Sequence, residues 1–577
     1  GLVGSEMCIR DRPVTAPDAA LRPAGESAAA TARTAARTPR QPKPPGIRQT
    51  MSDLHIWTGL LVGWILYAMF LTGTVSYFRE EISAWMRPEL SAARAVDAPA
   101  VTQRMVDAMG AHHAPTSSQW NIGLPTARNP VVNGYWIQAG QGRRGFGSGT
   151  FDPATGERVQ ARHTQGGDFF YAFHFNLHYM SPMWGRWIAG LCAMFMLVAI
   201  VSGVITHKKI FTDFFTFRGG KGQRSWLDAH SALSVLGLPF HFMITYSGLI
   251  TLMVMYMPWG GMAVPQARTE AFAELSAYVA PVKPAGVQAP LARVDAMVRE
   301  AERRWGTGQV GRVLVNNAFD TEARVVVSRA EGGRVDFSPQ FLLFDGVSGR
   351  LLQAKEQVSG AAETRGVLYG LHLGRFADTT TRWLYFLVSL AGTAMVGTGL
   401  VLWTVKRRQK LPDPERPYVG FRLVERLNIA SIAGLSVAMT AFLWGNRLLP
   451  LSFADRAAWE IHLFFIAWAA TLAYACCRPA KRAWVELLGL AAVLLALLPL
   501  LNALTTDRGL PASVLAGDWV YATFDATLLV FAVGHGWLAW RTWRHRPRVK
   551  AARPVAGAVQ RALAEPAPLA TGAGVRR

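Results

Sequence analysis

Cysteine is scarce in this sequence. The 577 residues include four cysteines, with Cys8 near the start, Cys192 inside an apolar run and Cys476 next to Cys477. Cysteines placed in this way indicate neither a disulfide framework nor a CxxC site. The CxxCH motif is missing too, which excludes a covalently attached c-type haem.

Motifs for nucleotide cofactors are missing as well. The glycines from Gly145 to Gly149 lack the strand, turn and helix of a dinucleotide fingerprint, and those from Gly219 to Gly222 do not fit a P-loop. The sequence therefore predicts no flavin or nicotinamide domain.

Acidic residues are few beside basic ones. There are 38 Asp and Glu against 60 Lys and Arg, which gives a formal net charge of +22. The basic residues gather between apolar runs, in short segments of the kind that stay in the cytoplasm. We interpret this charge as membrane topology plus attraction to anionic lipid, and we assign it no nucleic-acid role.

Long apolar runs dominate what is present, since 51% of the residues are hydrophobic. Eight runs reach the roughly 17 to 25 residues that a membrane-spanning helix needs. They are Trp57 to Tyr77, Trp187 to Ile205, Leu233 to Met255, Trp383 to Trp403, Leu427 to Leu448, Trp459 to Cys476, Trp484 to Leu504 and Trp519 to Trp540. The fold class is therefore a mainly α-helical polytopic membrane protein, placed in the bacterial inner membrane.

The loop charges place both termini in the cytoplasm and two long segments outside. The predicted organisation is a leader at 1–50, span 1 at 51–85, an outside domain at 86–166, a short surface helix with span 2 at 167–207, a loop at 208–226, span 3 at 227–257, an outside domain at 258–366, a surface helix with span 4 at 367–405, a loop at 406–426, accessory spans 5 to 8 at 427–540 and a tail at 541–577.

The leader and the tail are expected to be disordered, because they hold few large apolar residues. Residues 1–12 resemble a translated sequencing adapter, so we expect the natural start to lie downstream, for example at Met51.

The first four spans carry an internal repeat. Asp53-Leu54-His55 matches Asp228-Ala229-His230, and Thr72-Gly73 matches Ser247-Gly248 with the same separation of 175 residues. The other matched stretches are 151–157 with 344–350, Leu177-His178 with Leu371-His372, Ser202-Gly203 with Thr398-Gly399, and Lys208-Lys209 with Lys406-Arg407. The unit of span, outside α+β domain and span thus occurs twice in parallel, which predicts a pseudo-two-fold axis along the membrane normal.

These motifs together, from Arg48 to Arg408, resemble the PepSY-associated transmembrane family. The resemblance implies PepSY domains in the periplasm and, as in several members, haem-bearing helices that reduce ferric siderophores. Spans 5 to 8 lie beyond the part that it covers.

The repeat directs attention to histidine, since a polar ring in or beside lipid usually has a function. A two-fold axis brings equivalent residues face to face, so we expect His55 to face His230 and His178 to face His372, as axial ligands of two b-type haems. The alternative for each ring is a structural role at the membrane interface.

Three further histidines are candidate haem ligands. His241 follows His230 by eleven residues, a rise of about 16 Å with about 20° of rotation, so both rings lie on one side of a helix. His207 lies at the cytoplasmic end of span 2 and can replace His55 or His230. His174 shares a helix face with His178. Ser181-Pro182 predicts a helix break that leaves His178 at the interface.

The remaining candidates are weaker. His112, His113 and His163 fit a solvated surface, and His462 and His535 fit core polar positions, with a quinone or a third haem as the alternative. Trp120, Tyr135, Trp136, Arg143 and Arg144 are structural residues or a docking patch for an electron acceptor.

The sequence favours a haem protein that passes electrons from membrane quinol or a separate cytoplasmic donor to a periplasmic acceptor, a ferric siderophore. Reduction of the iron weakens its bonds to hard oxygen ligands. The alternatives are a permease for iron or siderophore and a sensor or protease-regulating module built on the PepSY domains.

Overall fold

The computed structural model describes residues 46–90, 96–141, 145–207, 209–277 and 279–546. The leader up to residue 45, the tail from residue 547 and the docking candidates Arg143 and Arg144 lie outside these residues.

Helices are more numerous than strands among the described elements. They are α1 (Ile47–Ser76), α2 (Arg79–Trp85), α3 (Ala98–Ala108), α4 (Gly167–Asn176), α5 (Pro182–Thr206), α6 (Ile210–Phe214), α7 (Gln223–Leu236), α8 (Leu238–Thr251), α9 (Met253–Tyr256), α10 (Trp259–Ala263), α11 (Pro265–Leu275), α12 (Val294–Trp305), α13 (Gly360–Leu373), α14 (Thr379–Arg408), α15 (Val419–Ile429), α16 (Leu435–Leu448), α17 (Arg456–Cys477), α18 (Ala480–Thr505), α19 (Leu510–Leu515) and α20 (Trp519–Arg544). Short π-helical turns, Met109–His113 and Ala430–Gly434, follow α3 and join α15 to α16.

Seven described helical segments are long and apolar enough to cross a membrane: α1, α5, α14, α15 with α16, α17, α18 and α20. The predicted third span, Leu233 to Met255, is instead a bent pair, with 68° between α7 and α8. Pro239 lies in the first turn of α8 and disfavours a helical conformation in the residues before it, so the chain breaks at Gly237, between α7 and α8. Counting the pair as one span gives the eight spans predicted.

The break predicted at Ser181-Pro182 is confirmed. Helix α4 ends at Asn176 and α5 begins at Pro182, whose missing N–H is tolerated in the first helical turn. This break separates His174 from His178, because His174 lies in α4 and His178 lies in the turn that follows it.

Seven strands form one antiparallel sheet in the order β3-β2-β1-β4-β5-β6-β7. The strands are β1 (Ser117–Gly123), β2 (Val132–Gln138), β3 (Phe146–Phe151), β4 (Val310–Asn316), β5 (Arg324–Arg329), β6 (Phe341–Asp345) and β7 (Leu351–Lys355). Helices α3 and α12 share a core with this sheet, in which Met105 and Val298 are fully buried.

The sheet joins the two outside segments that the sequence predicts as separate domains, 86–166 and 258–366. Strand β1 pairs with β4, and Trp120 lies opposite Val315. In two separate domains β1 and β4 would each be an edge strand with unpaired backbone groups, whereas here they pair with each other. The two segments therefore form one α+β layer with a continuous core.

The spans form a core and an accessory bundle. In the core, α1 packs against α5 and α14, α14 packs against α7, and the short helices α4 and α13 pack against α1 and α8. The accessory bundle, α15 to α20, meets the core at α2, where Trp85 Nε1 donates a hydrogen bond of 2.9 Å to Asp525. We call the end of the core that leads into the sheet the sheet side, and the end next to residues 207–222 the loop side.

Candidate functional site

Two histidines from different helices face each other on the sheet side. His174 lies near the end of α4 and His372 near the end of α13, and their ring centres are 6.2 Å apart with 34° between the ring planes. We call them the sheet-side pair.

A second facing pair lies on the loop side. His55 of α1 and His230 of α7 also have ring centres 6.2 Å apart, with 69° between the ring planes. The sequence predicts this loop-side pair, and the structure brings its two residues together.

Every one of the four rings is held through its Nδ1 atom by a backbone carbonyl of a neighbouring helix. The Nδ1 to oxygen distances are His55 to Ala199 2.8 Å, His230 to Met395 2.9 Å, His174 to Met69 2.6 Å and His372 to Ile244 3.0 Å. A carbonyl oxygen only accepts, so Nδ1 carries the proton in each neutral ring. The lone pair is then on Nε2, the atom available to a metal.

The carbonyls that serve each pair stand at the sequence separations of the predicted repeat. Met69 and Ile244, which serve the sheet-side pair, are separated by 175 residues, the same separation as His55 and His230. Ala199 and Met395, which serve the loop-side pair, are separated by 196 residues. Each half therefore holds its imidazoles by the same contacts.

A glycine lies against each of the four rings. A Cβ atom at Gly73 would lie 2.7 Å from the His174 ring, and one at Gly248 would lie 2.9 Å from the His372 ring. On the loop side the corresponding glycines are Gly203 against His55 and Gly399 against His230, both at 3.1 Å. On the sheet side an added Cβ would force the ring to shift, and on the loop side it would crowd the ring by a few tenths of an ångström, so glycine lets each ring approach the neighbouring helix closely.

The sheet-side pair lines a deep cleft between the core helices. Its empty space, including the open mouth, measures about 1420 Å³. Apolar side chains such as Leu66 and Met196 line the interior, and arginines lie among its other lining residues. The cleft thus combines an apolar interior with a few polar groups, as sites for small molecules and cofactors do.

Arg79 and Arg375 place two guanidinium groups among the residues that line this cleft, together with the carboxylate of Glu80. Arg79 has Asp168 at 3.7 Å, and Arg375 is ion-paired with Glu331. Burial, followed by the positive charge of Arg79, lowers the pKa of the Arg375 guanidinium. Two cations close to each other attract a further anion.

The predicted pairing of His178 with His372 is wrong, because His372 faces His174. His178 lies in the turn between α4 and α5, and its ring stacks on Phe465 of α17 with centres 5.4 Å apart. The ring is therefore held by the accessory bundle and is no member of either pair.

His241 and His207 are likewise outside the pairs. His241 lies just after the bend between α7 and α8 and is 1% exposed. Neither of its ring nitrogens makes a well-formed hydrogen bond among the described residues, although the Leu233 carbonyl lies near enough to interact. His207 follows the last turn of α5 on the loop side, where its backbone N–H donates to the Gly203 carbonyl.

The remaining candidates have structural contacts. His535 Nε2 is 3.0 Å from the Ser436 hydroxyl, and His462 is hydrogen-bonded to Tyr179. Trp120 is fully buried in the sheet and donates to the Ala114 carbonyl, so it cannot dock an acceptor. Tyr135, by contrast, is 44% exposed on β2.

Sequence reasoning missed the role of the four glycines and the sheet-side partner of His372. The glycines stand in the matched Thr72-Gly73, Ser247-Gly248, Ser202-Gly203 and Thr398-Gly399 pairs, so the signal was present. His174 is 198 residues from His372, the same separation as Lys208 from Lys406, whereas His178 is 194 residues away. The match of Leu177-His178 with Leu371-His372 favoured the separation of 194 residues over the separation of 198 residues that pairs His174 with His372.

The sheet-side pair fits a b-type haem, and the loop-side pair shares its ring separation of 6.2 Å. Two imidazoles that bind one metal from opposite sides have ring centres about 6 Å apart, because a metal–imidazole bond is about 2 Å long. No group of three or more His, Cys, Asp or Glu side chains suited to a metal occurs within the described residues. Two nitrogen donors in a deep apolar cleft suit a metal whose other ligands come from a macrocycle.

Fold and site together define a polytopic membrane protein with facing histidine pairs at two levels of a helical core. The family model described as PepSY-associated TM region matches residues 52–406, and the chain belongs to that family. The match ends before the accessory bundle. No curated protein matches the chain.

Proposed function

We propose that the protein is an inner-membrane electron-transfer protein that holds two b-type haems and reduces a ferric chelate, of the siderophore class, on the sheet side. The observation that carries this proposal is the set of two imidazole pairs, each 6.2 Å between ring centres and each with Nδ1 bound to a carbonyl. A permease or a sensor has no need for four rings that all leave Nε2 free.

A b-type haem in each pair supplies one-electron redox chemistry. His174 and His372 would hold the sheet-side group, and His55 and His230 the loop-side group. The carbonyl bonds fix the ring orientation and raise the basicity of Nε2, which favours the oxidised metal. The glycines admit the rings between closely packed helices.

Arg79 and Arg375 have two tasks in this proposal. Their charges compensate the carboxylates of a bound porphyrin, and they attract an anionic ferric chelate to the cleft. Each iron takes one electron, which converts Fe(III) to Fe(II) and weakens its bonds to hard oxygen ligands.

The proposed orientation places the sheet outside and the loop side in the cytoplasm. Lys406, Arg407 and Arg408 end α14 on the loop side, as the preference of basic residues for the cytoplasm requires. Electrons then enter from quinol or a cytoplasmic donor. Alkaline phosphatase fused after Gly349 is expected to be active and after Gly220 inactive, and the reverse pattern would overturn the direction.

Rapid mixing tests the proposed reaction. The purified full chain is reduced with dithionite, freed of excess reductant and mixed with a ferric hydroxamate in the presence of a coloured Fe(II) trap. We expect oxidation of the protein's visible band and formation of one trapped Fe(II) per electron lost. Oxidation of the band without trapped Fe(II), or no oxidation at all, would contradict the proposal.

A further inference from the structure

The turn after α4 has an unusual backbone. Leu177 has φ 57° and ψ −155°, and Tyr179 has φ 55°. The conformation of Leu177 belongs to a region that glycine alone adopts without strain. Such strain persists only where surrounding contacts impose it.

The helix that carries the other histidine of the sheet-side pair ends without such strain. Helix α13, which carries His372, ends at Gly374 with φ 62° and ψ 20°, the usual glycine ending of a helix. The two halves of the sheet-side pair are therefore held differently.

Helix α17 of the accessory bundle supplies the contacts that hold the strained turn. Tyr179 is hydrogen-bonded to Nδ1 of His462, and the two rings stack with 10° between their planes. The Phe465 ring lies 5.4 Å from His178 and 4.8 Å from Tyr179. The two strained residues, Leu177 and Tyr179, therefore lie within or next to the contacts that one face of α17 makes with the turn.

The contacts extend from the turn to α4 itself. The Phe173 ring, beside His174 in the sequence, lies 5.8 Å from Phe464 and 5.7 Å from Phe465. About 100° further round α4, His174 donates to the Met69 carbonyl of α1. Helix α4 is therefore held between the accessory bundle and the core.

We propose that the accessory bundle positions His174: Tyr179, His462 and Phe465 hold the turn 177–179 in its strained form, and this fixes the His174 ring opposite His372. The proposal rests on the proposed haem function for its spectroscopic consequence, and on geometry alone for its structural one. Tyr179 and His462 are positioning residues, because they act through α4.

The first test compares His462→Ala and Tyr179→Phe with His535→Ala, a histidine of the same bundle that is bonded to Ser436. Hydrogen exchange of the full chain reports the geometry whether or not haem is bound. We expect exchange across residues 170–179 to rise about tenfold in His462→Ala, less in Tyr179→Phe, and not at all in His535→Ala. Unchanged exchange in both anchor variants would overturn the proposal.

A second variant tests the strain. Leu177→Gly removes the backbone cost of the turn, so it should restore slow exchange when combined with His462→Ala. Failure of this rescue would overturn the role of the strained turn.

Spectroscopy separates the proposal from the haem function. In His462→Ala the midpoint potential of the sheet-side component should shift while the loop-side component keeps its value, and Leu177→Gly should reverse the shift. If the wild-type protein binds no haem but His462→Ala still shows faster exchange than wild type, the positioning contact is supported and the haem function is contradicted. A haem-loaded protein whose two components are both unmoved by His462→Ala would overturn the positioning role.

Discussion

Single atoms decide which histidines can serve as ligands here. Nδ1 of each paired ring is bound to a backbone carbonyl, while the His178 ring stacks on an aromatic side chain and neither ring nitrogen of His241 makes a well-formed hydrogen bond among the described residues. Whether a histidine is a candidate ligand therefore depends on the helix that its ring contacts. His174 contacts a carbonyl of α1, whereas His178, four positions later, stacks on a side chain of α17.

Under the proposed function His174 and His372 are the two protein ligands of one haem, so replacing either by Ala should eliminate or convert the same sheet-side spectral component. The double variant should resemble the singles, because both ligands serve one unit. His178→Ala is the matched control and should keep full intensity. Low-temperature α-band spectra check this, and loss of the component in His178→Ala with retention in His174→Ala would restore the original pairing.

Gly73→Ala should displace the His174 ring, because the new methyl group would lie 2.7 Å from it. We expect loss or a shift of the sheet-side component. Gly59 lies on the same helix with nothing within 4 Å of an added Cβ, so Gly59→Ala should be neutral or stabilise by about 1 kcal/mol. Haem content and the reduced spectrum of both variants are measured, and equal spectra would show that the close approach has no role.

His241→Leu should keep both spectral components and raise the free energy of unfolding by about 1 kcal/mol or more, because it removes a buried polar ring that lacks a good partner. Leu66, 175 residues earlier, stands at the equivalent position of the other half. Thermal unfolding followed by circular dichroism measures the change. Loss of either haem component would instead make His241 a ligand.

Sequence alone predicts the existence of the loop-side pair because Asp-x-His opens two matched spans. It cannot predict the sheet-side partner as well, since His174 and His178 share a helix face in a continuous helix. The chain separates them because α4 already ends at Asn176, ahead of Pro182, and the choice then depends on packing against Phe465, which is distant in sequence.

Elements of the fold were predictable to different degrees. The apolar runs predict the spans because length and composition suffice. The bend of the third span follows from Gly237-Leu238-Pro239, a signal that the apolar run around it obscures. The pairing of β1 with β4 was not predictable, because an alternating pattern is the same in an edge strand and a central strand.

Because the seven strands form one sheet, a destabilising substitution in it should affect the strands of both outside segments together. Ile122 of β1 is fully buried and lies opposite Val313 of β4, so Ile122→Ala should cost about 2 to 5 kcal/mol across the whole layer. Hydrogen exchange should accelerate equally in β2 and β5, and the exposed Tyr135→Ala should change neither. Acceleration confined to β1, β2 and β3 would show that the segments are separate domains.

The whole molecule arranges its parts along one axis. The loop-side pair, the sheet-side pair with its cleft, and the sheet follow one another, and the accessory bundle lies beside them. Such an order fits the proposed passage of electrons toward an acceptor at the sheet. It also gives the accessory bundle, which lies beyond the family match, a task at the sheet-side pair.

The measurement that tests this account most directly is the amount of haem per chain, with the reduced-minus-oxidised spectrum, in the purified full chain expressed with ample haem. The account predicts two b-type haems per chain with the low-spin spectra of two bis-histidine sites. A protein with full secondary structure and no haem would contradict it.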